Sequence, residues 1–158
     1  MGPLRERVQL GIGSVCFKRI LIPSAYNGRM EKDFTEWHRV KQGIQNSESH
    51  LFPHEREVRW CSVGLNVGSE EDGNGGYYTR PVLIVKIITK NTCLCVPLTT
   101  RDKHGSYYFD VGLSDGVSRK AVLSQIRLID AKRLWALIGV VDVDQFERIK
   151  KALIDIIK

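Results

Sequence analysis

Arg80 and Thr99 are the residues of this chain whose types and surroundings best suit phosphate chemistry. A guanidinium stays charged and offers a planar fork that can hold two phosphate oxygens at once, which an ammonium in the same place cannot do. A threonine hydroxyl can donate to one oxygen and accept from another group. Both sit at the ends of apolar runs. Arg80 opens Arg80-Pro81-Val82-Leu83-Ile84-Val85, and Thr99 lies at the close of Cys93-Leu94-Cys95-Val96-Pro97-Leu98-Thr99-Thr100. Upstream of Arg80 is the glycine- and acid-rich stretch Gly68-Ser69-Glu70-Glu71-Asp72-Gly73-Asn74-Gly75-Gly76, and downstream of Thr99 come Arg101, Lys103 and His104, placed to form a phosphate funnel. An arginine, a threonine and an acid can therefore converge beside a basic loop. The plainer alternatives are an Arg80 clamped to Glu70 or Asp72 at the surface, and a basic segment that is only a solvated turn. Thr100 points to the opposite strand face and reads as structural.

Such convergence needs strands to deliver both residues. Short apolar runs separated by turn residues place strands near residues 57–66, 80–89, 92–99, 105–112 and 119–128, the pattern of a small barrel or sandwich. Lys90-Asn91 supplies a tight hairpin turn, and Pro81 and Pro97 mark strand ends or edges because neither can donate to a ladder. The segment Leu134–Gly139 is expected to cover an open end of the barrel. Asp142 and Gln145 have capping-box spacing, and Phe146, Ile149, Leu153 and Ile156 repeat along one face of a closing amphipathic helix. Before the barrel, Phe34, Trp37, Val40 and Ile44 form the stripe of a helix over 31–46, with Trp37 as a packed core aromatic.

The organisation that follows is a tail (1–29), an N-terminal helix and linker (30–55) and the barrel domain (56–158). Met30 opens a new composition, so residues 1–29 are expected to be a disordered tail or upstream read-through. Of the formal charge of +6, residues 1–29 carry +4 from five bases and one acid, and the rest carries +2 from nineteen bases and seventeen acids. Net charge is thus weak support for a nucleic-acid partner. The segment from Glu31 to Glu55 holds three bases and five acids, which argues against its being the nucleic-acid face.

Cys16, Cys61, Cys93 and Cys95 show no paired metal spacing, and His38, His50, His54 and His104 are scattered, so no metal and no cofactor are expected. A reduced, cytoplasmic protein fits, with Cys93 and Cys95 as small buried hydrophobes on one strand face. No run approaches the ~20 apolar residues that span a bilayer.

Gly68-Ser69-Glu70, the Arg80-Pro81 run, the Cys93–Thr100 run and Leu123-Ser124-Gln125-Ile126-Arg127-Leu128-Ile129 occur in register in a chain that resembles the PemK/MazF family of toxin-antitoxin toxins. That resemblance covers Glu57 to Ile157 and implies a mainly β, SH3-like small barrel of the CcdB/MazF kind with a C-terminal helix. It also implies a homodimer acting as a metal-independent, sequence-specific endoribonuclease on single-stranded RNA, messenger RNA included. The product would be a 2',3'-cyclic phosphate and the outcome growth inhibition.

By the same resemblance Arg80 and Thr99 are catalytic, and Glu70 matches an acidic position whose carboxylate can orient or accept a proton. The chain departs from the family in having Ser124 where Asp is common, and a longer loop before Arg80. The base is then expected from elsewhere, Glu70 or His104 for example. Ser69, Tyr78, Arg101, Lys103, His104 and Gln125 are the expected RNA contacts, with Tyr77 and Tyr78 able to stack on unpaired bases. One of the two tyrosines packing on the barrel is the plainer alternative. The implied partners are RNA, a cognate antitoxin, DNA only through the antitoxin complex, and no membrane. Trp60 and Trp135 are candidate dimer or antitoxin contacts. The rival reading is a non-catalytic barrel protein, either a degenerate RNA-binding member or a CcdB-like gyrase inhibitor. The latter is disfavoured by the ending Asp155-Ile156-Ile157-Lys158, because that type ends in Trp-Gly-Ile.

Overall fold

The computed structural model describes residues 32–48 and 51–158. The expectations for residues 1–29, Cys16 and His50 lie outside the described residues. Helix α1 (Phe34–Gln45) begins where the Asp33 carboxylate accepts from the Glu36 amide at 2.9 Å, supplying a partner for an orphan N–H. Its stripe is real but shallow. Trp37 is buried, as a packed aromatic should be, whereas Val40 and Ile44 are half-buried and Phe34 stays exposed.

Seven strands follow: β1 (Glu57–Ser62), β2 (Thr79–Ile87), β3 (Thr92–Thr99), β4 (Tyr108–Asp110), β5 (Lys120–Val122), β6 (Arg127–Asp130) and β7 (Leu134–Val140). All pairings are antiparallel, in the order β4-β5-β3-β2-β1-β7. On the side of β3 away from β2, the first half of that strand pairs with β6 and its end pairs with β5. This is the mainly β class that the sequence pattern implies.

Several boundaries differ from expectation, each for a local reason. The first strand stops at Ser62 because the chain turns at Gly64, whose φ of +91° is natural only to glycine. The expected strand over 119–128 is two strands broken by a 3₁₀ turn, Leu123–Gln125, which drops Leu123 into the core while its amide donates to the Tyr107 carbonyl at 2.8 Å. Leu134–Gly139 is not a cover over an open end but part of β7, which satisfies the free backbone edge of β1. The β2–β3 hairpin does turn at Lys90-Asn91, with the Thr89 hydroxyl oxygen accepting from the Asn91 amide at 3.2 Å and the Thr92 amide at 3.1 Å.

Apolar packing covers both faces of the central strands, which is why β2 and β3 read as unbroken hydrophobic runs rather than alternating ones. On one face Val58, Leu83, Val96 and Leu98 meet Phe146, Ile149 and Leu153 of helix α2 (Val143–Ile157). On the other, Val82, Ile84, Cys93 and Cys95 pack with Ile129 and Leu134. Asp142 caps α2 by accepting from the Asp144 amide at 3.0 Å, but the expected capping box does not close, because the Gln145 side-chain amide donates to the Asp110 carbonyl instead.

Cys61, Cys93 and Cys95 are buried as small hydrophobes. Burial pushes the Cys61 thiol up to about 12, and the Cys93 sulfur at 3.4 Å, together with burial, pushes Cys95 up as well. Among the described residues no helix is long and apolar enough to cross a membrane.

Candidate active site

Arg80 is the second residue of β2 and Thr99 the last of β3. The register pairs Val82 with Pro97, and continuing it by two residues sets Arg80 opposite Thr99 on the same face of the ladder. Pro81 and Pro97 accordingly lie close to the strand ends, next to these residues. The Arg80 Nη1 donates to the Leu98 carbonyl at 3.1 Å, tying the guanidinium to the strand end that carries Thr99. Thr99 is only 7% exposed, and its Oγ1 accepts from the Arg101 amide at 3.2 Å, leaving its own O–H to donate elsewhere.

The long loop between β1 and β2 folds over Arg80 in a defined way. At its base the Gly64 amide donates to the Tyr78 carbonyl at 3.1 Å and the Gly73 amide to the Gly64 carbonyl at 2.7 Å. Inside it the Asn66 amide donates to Asp72 Oδ1 at 2.6 Å and the Asn66 side-chain amide to the Glu71 carbonyl at 2.8 Å. From this frame the Asp72 carbonyl accepts from Arg80 Nε at 2.6 Å, and Glu71 Oε2 lies 2.8 Å from Arg80 Nη2. The guanidinium thus uses three of its five N–H groups on the protein.

The carboxylate beside Arg80 belongs to Glu71 and not to Glu70. Glu70 is exposed and turns back on its own loop, accepting from the Val67 amide at 3.2 Å. Three consecutive acids precede Gly73, and spacing alone cannot say which one a folded loop aims at the arginine. Nor is the pair a simple surface clamp, since the Arg80 side chain is 14% and that of Glu71 28% exposed.

The other expected residues divide into holders of this loop and exposed groups. Gln125 accepts from the Glu71 amide through Oε1 and donates from Nε2 to the Ser69 carbonyl, both at 3.2 Å, so it pins the loop rather than standing free for a base edge. Ser69 takes part through that carbonyl. Ser124 is exposed in the turn before it. The Tyr78 ring packs edge-on against Trp37, at a centroid distance of 5.4 Å, so Tyr77 is the exposed ring of the two.

Arg101, Lys103 and His104 are all exposed beyond Thr99, as a basic fringe requires. Asp102 among them lies 3.1 Å from Lys120 Nζ and 3.2 Å from His104 Nε2. The Lys120 bond above all, with His104 adding to it, holds the Asp102 carboxyl below its ordinary range. The arrangement can grip a phosphate with Arg80, donate to it from Thr99, and move a proton through Glu71.

The family model for the PemK-like, MazF-like toxin of type II toxin-antitoxin systems matches residues 54–157. Among solved structures, MazF (Form-I) from Deinococcus radiodurans is similar at a TM-score of 0.55 and 17% identity, over 68% of this chain and 97% of that one. A mycobacterial endoribonuclease in complex with its cognate antitoxin aligns at a TM-score of 0.52 and 21% identity, over 66% of this chain and 94% of that one. Another structure, of an endoribonuclease from mycobacterial species, aligns at a TM-score of 0.51 and 18% identity, over 70% of this chain and 95% of that one. At these identities the structural likeness speaks for the fold. No curated protein sequence matches significantly. With the family model spanning the whole sheet and α2, and the fold shared with MazF structures, the chain belongs to the PemK/MazF family of type II toxin-antitoxin toxins.

Proposed function

We propose that the chain is a metal-independent endoribonuclease cutting single-stranded RNA at short specific sequences, messenger RNA among its targets. The observation that carries this reading is the Arg80–Glu71 pair, 2.8 Å apart at the strand end that carries the Thr99 hydroxyl. Cleavage needs the ribose 2'-hydroxyl to lose a proton as its oxygen attacks the adjacent phosphorus, while negative charge grows on the non-bridging oxygens. Glu71 takes that proton. The two remaining Arg80 N–H groups and the Thr99 O–H meet the developing charge, a role a cationic side chain fills without a metal ion. The bond from phosphorus to the 5'-oxygen breaks, that oxygen takes a proton from water, the hydroxide so formed takes the proton held by Glu71, and the products are a 2',3'-cyclic phosphate and a 5'-hydroxyl end.

Related structures described as endoribonucleases, one of them with its cognate antitoxin, support this activity and a toxin restrained by an antitoxin. Trp60 and Trp135, each 41% exposed on the neighbouring strands β1 and β7, are suited to a homodimer or antitoxin contact. Light scattering that finds only monomer at micromolar concentration would remove the dimer from this reading.

The test of the activity is incubation with a long unstructured RNA in EDTA, beside Arg80→Ala. Cutting that survives the chelator, yields cyclic phosphate ends and falls about 10²- to 10³-fold in the variant is expected, by analogy with the loss of one charge-stabilising group. A wild type that binds RNA without cutting it would favour the rival non-catalytic reading. Equal cutting by Arg80→Ala would remove the proposed centre.

A further inference from the structure

We propose that helix α1, upstream of the residues matched by the family, is a brace that positions Glu71 and Arg80, with Lys32 and Trp37 as its positioning residues. The proposal rests on the nuclease reading for its effect on turnover, though not for the brace itself. The segment from Gly64 to Tyr78 carries five glycines, at 64, 68, 73, 75 and 76. A chain so composed loses much conformational freedom when it takes a single shape, and something must hold it there. Gln125 holds one side. The other side is held by α1 and the residue before its cap.

Trp37 grips the two ends of the loop together. Its indole lies so close on Gly64 that a Cβ at that position would stand 2.2 Å from Cζ2, and its ring meets Tyr78 edge-on at 5.4 Å. Gly64 and Tyr78 are themselves joined by a backbone hydrogen bond, so the tryptophan clamps a closed base. Lys32 grips the middle. Its ammonium donates to the Asn66 carbonyl at 2.6 Å and lies 2.6 Å from Asp72 Oδ2.

Asp72 is the residue whose carbonyl takes Arg80 Nε, and Glu71 before it supplies the carboxylate on Nη2. Lys32, Asp72 and Arg80 therefore form one line of contacts from the extension to the reacting centre. The Lys32 and Asp72 side chains are 28% and 27% exposed, so this pair is less screened than an open surface pair.

A brace and a merely docked helix differ in what their loss does. The test uses the full chain with Lys32→Met, which keeps the stem and removes the charge, and Lys32→Arg as the conservative rescue. Hydrogen exchange of residues 64–76 is measured beside single-turnover and steady-state kinetics. The expected result is faster exchange in that loop with the β2–β3 hairpin unchanged, a kcat lowered about 10- to 100-fold with KM nearly constant, and recovery in Lys32→Arg. Lys32→Met combined with Asp72→Asn should cost less than the sum of the two single changes, because both cut the Lys32–Asp72 pair, while Lys32 alone also holds the Asn66 carbonyl.

Unchanged loop exchange in Lys32→Met overturns the brace, whether or not the protein cuts RNA. Looser exchange with unchanged kcat overturns its role in positioning. If the wild type cuts no RNA, the nuclease reading fails by itself, and loop exchange still decides whether α1 holds the loop.

Discussion

Two loops border Arg80 and Thr99, and they are built in opposite ways. The acidic loop before β2 is tied to itself, to Gln125, to Lys32 just before α1 and to the guanidinium by bonds of 2.6–3.2 Å. The basic loop after β3 is exposed from Thr100 to Tyr107, and among the described residues it is held at its two ends, by the Thr99 hydroxyl oxygen on the Arg101 amide and the Leu123 amide on the Tyr107 carbonyl, and between them by the Lys120 ammonium on Asp102 and the Lys103 carbonyl. In the proposed reaction the first loop fixes charges where bonds change, and small displacements there are costly. The second, in the same reading, presents cations to a polyanion, for which reach and charge matter more than a fixed position. One site thus separates positioning from capture.

The sharpest way to break this contrast is to open the rigid loop from within. A Cβ at Gly73 would stand 1.7 Å from the Tyr78 carbonyl oxygen, and two stretches of backbone cannot relax as a side chain can. Gly73→Ala should therefore displace the loop base next to Arg80. We expect kcat to fall on the order of 10²-fold and stability to drop by about 1–3 kcal/mol, as for other overpacked sites. Wild-type turnover in this variant, measured on a short RNA at saturation, would mean that the loop's shape does not matter to the chemistry.

Removing cations from the open loop should do the reverse. Arg101→Ala with Lys103→Ala is expected to raise KM and leave kcat almost unchanged. The salt slope of RNA binding should become shallower by about 1.4, from two lost contacts at ~0.7 each for a single strand. A large fall in kcat without a change in the salt slope would show that this loop positions rather than captures.

The same contrast explains how much the sequence revealed. Arg80 and Thr99 were legible because strand patterning alone brings the start of β2 and the end of β3 together, and the register does place them opposite each other. Cys93 and Cys95 were legible for the same reason, as neighbours on one buried face. The acid beside Arg80 was not. Glu70 and Glu71 are adjacent, and which one meets Arg80 depends on contacts from Asn66, Gln125 and the loop's own carbonyls, none of which has a sequence period.

Gln125 and Tyr78 were read as RNA contacts because polar and aromatic residues near a site suggest a ligand, yet both hold the protein instead. Strand β7 was missed because Trp135, Ala136 and Leu137 are all exposed, so its sequence lacks the inward-outward alternation by which strands are recognised.

The smallest effect is expected at the ion-pair tether of the open loop. Asp102 is held below its ordinary value of 3.8 by the Lys120 hydrogen bond first and by His104 second. A carboxyl with a depressed folded value contributes stability above its unfolded pKa and loses it as pH falls through the folded one. The window therefore lies below about pH 4, where the tether should release. Because the Asp102 side chain is 79% exposed, solvent and salt screen the pair, and the contribution is small at any pH. Asp102→Asn should accordingly leave the melting temperature at pH 7 unchanged within error, and any small difference between variant and wild type should close as pH falls through the depressed value of this carboxyl. A clear drop in melting temperature at pH 7 would mean that the basic loop is held nearly as firmly as the acidic one, and the division between the two would not stand.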